Sequence, residues 1–100
     1  MNDKKTKNIP ERAEKDIIAF AEKYGLQKVI LFGSRARGDN SERSDIDIAV
    51  SGGDKREFEY SVDELAHTLL MFDVVDLDRK LSDELLAEIE RDGVVLYEKI

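Results

Sequence analysis

The fold is decided by residues 27–50, which read QKVILFGSRARGDNSERSDIDIAV. Gln27–Phe32 is a β-branched and aliphatic run without clear alternation, which predicts a central strand covered on both faces. This strand ends at Gly33. The next segment, Ser34–Ser44, is polar and rich in arginine, and it predicts a turn or a short helix. Asp45–Val50 then alternates aspartate with isoleucine and predicts a second strand.

The rest of the chain alternates helical and strand patterns. The predicted elements are a helix between Pro10 and Gly25, a helix capped by Asp54 and carrying Phe58, Val62, Leu65, Ala66 and Leu69, a strand from Met71 to Leu77, a helix capped by Ser82 or Asp83, and a strand from Val94 to Tyr97. We expect the helix after Asp54 to be the longest. Helices between strands require crossovers, so the fold class is α+β, a small mixed β-sheet with helices packed on it.

Length and composition describe one small globular domain. The chain has 100 residues, 41% of them hydrophobic and 39% charged, and 16 basic against 23 acidic residues give a formal net charge of −7. We therefore expect a single domain over residues 1–100, with residues 1–8 flexible. A domain of this size would gain stability from a partner or as a homo-oligomer. The acidic balance disfavours nucleic acid as a partner, although local arginines could hold a phosphate.

No segment has the pattern of a membrane span or a secretory signal. The apolar runs Val29–Phe32 and Leu69–Phe72 are far shorter than the roughly 20 residues that cross a bilayer. The lysines of Met1–Asn8 are not followed by an apolar stretch. We therefore expect a cytoplasmic protein. The absence of cysteine excludes disulfides and Cys-ligated zinc, so any metal is expected to be a hard ion bound by oxygen.

The first candidate for chemistry is the pair of carboxylates on the second strand. Side chains on a strand alternate between faces, so Asp45 and Asp47 point to one side while Ile46 and Ile48 point to a core. The two aspartates are about 6–7 Å apart along the backbone, which lets their carboxyl groups converge on a divalent cation. The alternative is an edge strand that exposes its charges to water.

The second candidate is the turn before it. A glycine permits close approach of the backbone to a ligand, and the N–H groups that open a short helix, with the Ser34 hydroxyl, donate to phosphate oxygens. Arg35, Arg37 and Arg43 add positive charge to this connection, although solvated loop arginines are the alternative interpretation. The segment matches neither a P-loop nor the dinucleotide-binding fingerprint.

Together these two segments resemble a known family. Residues 33–38, GSRARG, followed by residues 44–50, SDIDIAV, resemble the signature of the nucleotidyltransferase superfamily related to DNA polymerase beta. The resemblance extends over nearly the whole chain to the minimal nucleotidyltransferase group, whose members also end in a helix and a strand like Gly93–Tyr97. It implies the polymerase beta-like palm fold.

The resemblance also implies roles for individual residues. The superfamily has a third carboxylate on a later strand, for which Asp73 is the candidate. Asp76 is three residues further on and faces the other side of a regular strand, so Asp76 and Asp78 are assigned to the strand exit. The implied catalytic and metal-binding residues are Asp45, Asp47 and Asp73, with two Mg²⁺ ions in the reactive complex. The implied nucleotide-binding residues are Gly33, Ser34, Arg35 and Arg37, with ATP as the donor.

The implied activity is transfer of AMP from ATP to a hydroxyl group. Minimal nucleotidyltransferases of this kind are encoded beside a HEPN-domain toxin and act as its antitoxin by modifying it, and we expect this partner because the chain leaves no room for an acceptor-binding domain. One alternative is a module that neutralises its partner by contact or senses nucleotide without catalysis. Another is transfer to RNA or a small molecule. We assign no chemistry to His67, and we interpret the acidic run Asp83–Asp92 as a solvated helix face.

Overall fold

A computed structural model describes residues 7–100 and contains the predicted order of elements. The elements are α1 (Glu11–Lys23), β1 (Lys28–Phe32), α2 (Ser34–Arg37), β2 (Ile46–Ser51), α3 (Lys55–Leu65), β3 (Phe72–Asp76), α4 (Asp83–Asp92) and β4 (Val94–Glu98). Asp54 caps α3 by accepting from the Glu57 amide, as predicted. Of the two residues considered for the cap of α4, Ser82 is the one that accepts, from the Leu85 amide.

The four strands form a mixed sheet in the order β3-β2-β1-β4. Strand β1 pairs antiparallel with both β2 and β4, whereas β2 and β3 are parallel and are joined by the crossover helix α3. The predicted α+β class, the mixed sheet and the central position of β1 are confirmed. Strand β2 also lies inside the sheet, so Asp47 does not belong to an edge strand, and Asp45 directly precedes this strand.

The sheet has a buried core on each face. On one face α1 and α3 cover it, and Ile17, Phe58, Leu31 and Ile48 are fully buried there. On the other face α4 packs through Ile89 against a smaller cluster from β1 and β2. Side chains alternate along β2, so successive residues point to opposite faces of the sheet and to different cores. Asp47 points to the face that α4 covers.

Helix α3 is shorter than the sequence pattern predicts. It has 11 residues against 13 in α1, so the expectation that it is the longest helix is wrong. Ala66 is already extended, and the next amide, of His67, donates to the Asp16 carboxylate at 2.6 Å. This contact with α1 directs the chain out of the helix. Leu69, assigned to the helical stripe, is instead fully exposed.

The N-terminal segment is described only in part. The predicted flexibility of residues 1–6 lies outside the described residues. Lys7 and Asn8 make defined contacts: the Lys7 ammonium lies 3.1 Å from the Glu14 carboxylate, and the Asn8 amide donates to the Arg35 carbonyl at 2.8 Å. Within residues 7–100 no helix is long and apolar enough to cross a membrane.

The position of Leu69 gives a direct test of where α3 ends. Val62→Ala is expected to lower the free energy of unfolding by about 1–3 kcal/mol because Val62 is buried in the core, whereas Leu69→Ala should change it by less than about 0.5 kcal/mol. Urea unfolding of the two variants measures the difference. Equal losses would show that Leu69 packs in the core and that α3 continues past Ala66.

Candidate active site

Three aspartates lie at one end of the two parallel strands. The register of β2 and β3 places Asp47 directly opposite Asp73, so their side chains share a face. Asp45 precedes Asp47 by two residues and contributes to the same electrostatic field, because its charge raises the Asp47 pKa. The structure therefore brings together the three carboxylates that the sequence singled out. Asp76 and Asp78 lie at the other end of the strands, where both pair with Lys55.

The glycine–serine turn lies against Asp47. Strand β1 pairs Phe32 with Asp47, which places Gly33 beside the same aspartate. Gly33 has φ 75° and ψ −159°, a backbone conformation that other residues rarely adopt. A Cβ atom at Gly33 would overlap Oδ2 of Asp47 and lie only 3.2 Å from its Cγ. Only glycine therefore permits this approach of backbone and carboxylate.

Helix α2 begins at this turn and is closed at both ends by glycine. The Gly33 carbonyl accepts from the Ala36 and Arg37 amides, and Gly38 ends the helix in the left-handed conformation. The first N–H groups of a helix have no partner within it. The amides of Ser34 and of the next residue therefore have no partner within α2, and they follow directly after the glycine that lies against Asp47.

Asp47 is the electrostatic centre of the cluster. Partial burial, followed by the charges of Asp73, Asp45 and Glu88, raises the pKa of Asp47 from 3.8 to about 6, and the charge of Arg37 acts in the opposite direction. The negative field at this site favours cations over anions.

Two acidic residues of α4 belong to the surroundings of this site, which the sequence analysis missed. Glu88 lies close enough to raise the Asp47 pKa. The Asp92 side chain is only 7% exposed and accepts from Arg37 at 2.9 Å, so the interpretation of residues 83–92 as a solvated face is wrong for this end. A signal was present: Glu88 and Asp92 continue the helical spacing of the buried side of α4, at three and seven residues after Leu85.

The two arginines of α2 have different surroundings. Arg37 is exposed and donates to Asp39 at 3.0 Å and to Asp92 at 2.9 Å, and its charge lowers the pKa of Asp47. Arg35 is 4% exposed and donates to backbone carbonyls of the loop before β2, Ser44 among them. Its predicted contact with a nucleotide remains untested. Arg43 is exposed and lines a shallow groove beside Leu69–Met71.

Asp45, Asp47 and Asp73 offer the carboxylate oxygens that suit a magnesium ion, although their side chains do not converge on a single point. Within residues 7–100 no three acidic or histidine side chains are placed closely enough to hold a metal ion together. Asp45 and Asp73 are exposed, whereas Asp47 is partly buried. The backbone register already brings the strands together, and carboxylate oxygens are the ligands that Mg²⁺ prefers.

These features define a class of protein, since a glycine–serine turn placed against carboxylates from the next two strands is the arrangement of a nucleotidyltransferase domain. Residues 15–100 match the family described as Polymerase beta, Nucleotidyltransferase. The chain belongs to this family, which confirms the family resemblance and the fold inferred from the sequence.

A sequence relative and a solved structure are similar to this chain. The chain is 44% identical over 68 residues to "Putative protein adenylyltransferase MJ0604" of Methanocaldococcus jannaschii, a match that covers 65% of this chain and 66% of that protein. The crystal structure of a toxin–antitoxin with AMP-PNP contains a chain that superposes with a TM-score of 0.67 at 32% identity, covering 86% of this chain and 73% of the other.

Two further solved structures have the same fold. A mutant of the toxin–antitoxin MntA-HpeT, in which two aspartates are replaced by glutamate, matches with a TM-score of 0.67 and 29% identity, covering 86% of this chain and 73% of the other. The structure described as "a putative nucleotidyltransferase from Sulfolobus solfataricus" matches with a TM-score of 0.53 and 26% identity, covering 89% of this chain and 79% of the other.

Replacing Gly33 tests the contact with Asp47. Gly33→Ala is expected to lower the free energy of unfolding by about 2–4 kcal/mol, because it combines a strained φ with a collision against the carboxylate. Gly25→Ala is the matched control, since Gly25 has φ 68° but open space at the Cβ position, and it should cost only about 1 kcal/mol. Equal losses in urea unfolding would contradict the close approach.

The raised pKa of Asp47 predicts a stabilising substitution. The folded state holds the Asp47 proton more tightly than the unfolded state, so the stability from this group is fully present below pH 3.8 and is lost as the pH rises through about 6. Asp47→Asn should therefore stabilise the protein in EDTA at about pH 7.5, by about 1–2 kcal/mol after allowance for solvent screening of this half-buried group.

At about pH 4 the Asp47→Asn variant should lose most of this gain in stability over the wild type, because the wild-type carboxyl group is then largely protonated in the folded protein. Glu59→Gln removes one charge from the exposed surface of α3 and controls for net charge. An Asp47→Asn variant no more stable than this control at about pH 7.5 would show that Asp47 is not in a repulsive environment.

Proposed function

We propose that this protein transfers AMP from ATP to a hydroxyl group of a HEPN-domain toxin and thereby acts as its antitoxin. The observation that carries the proposal is the contact of Gly33 with the Asp47 carboxylate, because it joins a phosphate-binding turn to an acidic cluster. The toxin–antitoxin structures and the adenylyltransferase relative support the choice of nucleotide and acceptor.

The donor nucleotide would bind across the turn. The backbone amides at the start of α2 and the Ser34 hydroxyl bind the β- and γ-phosphates, since the turn that carries them lies against Asp47. Arg37 binds the leaving pyrophosphate, and Asp39 and Asp92 fix its guanidinium for this role. The AMP-PNP in a similar toxin–antitoxin is consistent with a nucleotide in this family's site.

Asp45, Asp47 and Asp73 would hold the Mg²⁺ ions. The chemistry supplied by bound Mg²⁺ is neutralisation of phosphate charge and a lower pKa for the acceptor hydroxyl. Asp47 and Asp73 fix the approach to the α-phosphorus, because they lie opposite each other on two paired strands whose register is set by the sheet, and Asp45 directly precedes the first of these strands.

The reaction forms one bond and breaks one. The acceptor oxygen attacks the α-phosphorus, and the bond from that phosphorus to the oxygen bridging the β-phosphate breaks, which releases pyrophosphate. The hydroxyl proton passes to a carboxylate, for which Asp73 is the candidate because it is exposed on the edge strand where an acceptor approaches.

The test is transfer of label from α-labelled ATP to the HEPN-domain protein encoded by the neighbouring gene, in the presence of Mg²⁺. The double variant Asp45→Asn and Asp47→Asn should lose about a thousandfold or more in rate, since bound metal supplies several kcal/mol of transition-state stabilisation. It should still bind the toxin.

The matched control is Glu59→Gln with Asp63→Asn, which removes two exposed charges from α3 and should leave the rate unchanged. Two results would contradict the proposal. One is a complex that forms without any label on the toxin. The other is a double variant that still silences the toxin in cells, which would favour neutralisation by contact alone.

A further inference from the structure

Arg35 is the most deeply buried charged side chain in the described part of the structure. It is 4% exposed and lies directly after Ser34 in α2. Nε donates to the Ser44 carbonyl at 2.9 Å, and Nη1 donates to that of Asn8 at 3.0 Å. Nη2 donates to the Glu42 carbonyl at 3.1 Å and more weakly to that of Ser41 at 3.5 Å. Every nitrogen of the guanidinium is therefore engaged.

The acceptors are neutral carbonyls from two separate segments. Three belong to the loop between α2 and β2, and one belongs to the segment before α1. Burial of a guanidinium is costly unless its donors are satisfied, so loss of any one carbonyl would be unfavourable. The arginine thus fixes a loop that contains no regular strand or helix of its own.

That loop leads directly to the first metal-binding candidate. Strand β2 begins at Ile46, so Asp45 lies outside the sheet ladder. Its position depends on its two neighbours. The Ile46 amide donates to the Met71 carbonyl at 2.9 Å, and the Ser44 carbonyl accepts from Arg35. Ser44 is also bonded to Ser41 within the same loop, through its amide at 3.2 Å and its hydroxyl at 2.9 Å, whereas Arg35 ties Ser44 to α2.

We propose that Arg35 is a positioning residue that fixes the Asp45 carboxylate for metal binding by holding the Ser44 carbonyl, and that it does not contact the nucleotide. This role rests on the proposed function for its catalytic consequence. The structural part, the fixing of the loop, can be measured in the free protein.

Hydrogen exchange of the free protein tests the structural part. Arg35→Lys keeps the charge but offers a single donor group, so the amides of residues 39–45 should exchange about tenfold faster while those of β1 and β2 are unchanged. Arg56→Lys, an exposed arginine of α3, is the matched control and should alter neither. Unchanged exchange in the loop of the Arg35→Lys variant would overturn the proposal.

Metal and nucleotide affinities separate positioning from direct contact. Thermal-shift titration with Mg²⁺ alone should show that Arg35→Lys binds Mg²⁺ about tenfold more weakly. Mutation of residues that hold metal ligands in place commonly has an effect of this size. The KM for ATP at saturating Mg²⁺ should stay within about twofold. A raised KM with unchanged Mg²⁺ affinity would assign Arg35 to the phosphates and overturn the proposal.

A measurement on the wild-type protein covers the case in which Arg35 variants fail to fold. In NMR spectra the Nε–H signal of Arg35 should be protected from exchange and should not move when ATP and Mg²⁺ are added, whereas the Ser34 amide signal should move. A shift of the Arg35 signal as large as that of Ser34 would overturn the positioning role. A Ser34 signal that does not move would contradict the proposed function, and loop exchange would then decide the positioning role alone.

Discussion

The close approach of the Asp47 carboxylate to the Gly33 backbone is the constraint on which the site depends. The antiparallel register of β1 and β2 sets Phe32 opposite Asp47, so the next residue must lack a side chain. The positive φ of this glycine then turns the chain into α2. Groups suited to phosphate and groups suited to a cation are therefore joined through sheet hydrogen bonds and cannot separate without disrupting the sheet.

This arrangement concentrates negative charge in one place. The protein carries a net charge of −7, and the sheet brings the negative charges of Asp45, Asp47 and Asp73 to one end of the parallel strands, with Glu88 nearby. A stable fold without function would place these groups apart. A bound cation would relieve the repulsion among these carboxylates, and a cation that binds only the folded state stabilises that state by mass action.

Much of this was predictable from local sequence because local patterns encode it. The alternation of Asp45–Val50 and the turn at Gly33 each follow from period and backbone freedom within a few residues. The burial of Arg35, the contribution of Glu88 and the end of α3 were not predicted. Each depends on which distant segment lies alongside: the loop before β2, the crossing of α4 over the sheet, and Asp16 of α1. Spacing along the chain carries only weak information about such contacts.

The most direct test of the central claim is to locate a bound paramagnetic cation. When Mn²⁺ replaces Mg²⁺ in the free protein, the amide NMR signals of Gly33, Asp47 and Asp73 should broaden first, because the cation lies between the turn and the two strands. Signals at the opposite end of β3, near Asp76 and Asp78, should remain sharp. Broadening centred on that second acidic end, or spread evenly over the acidic surface, would contradict the account.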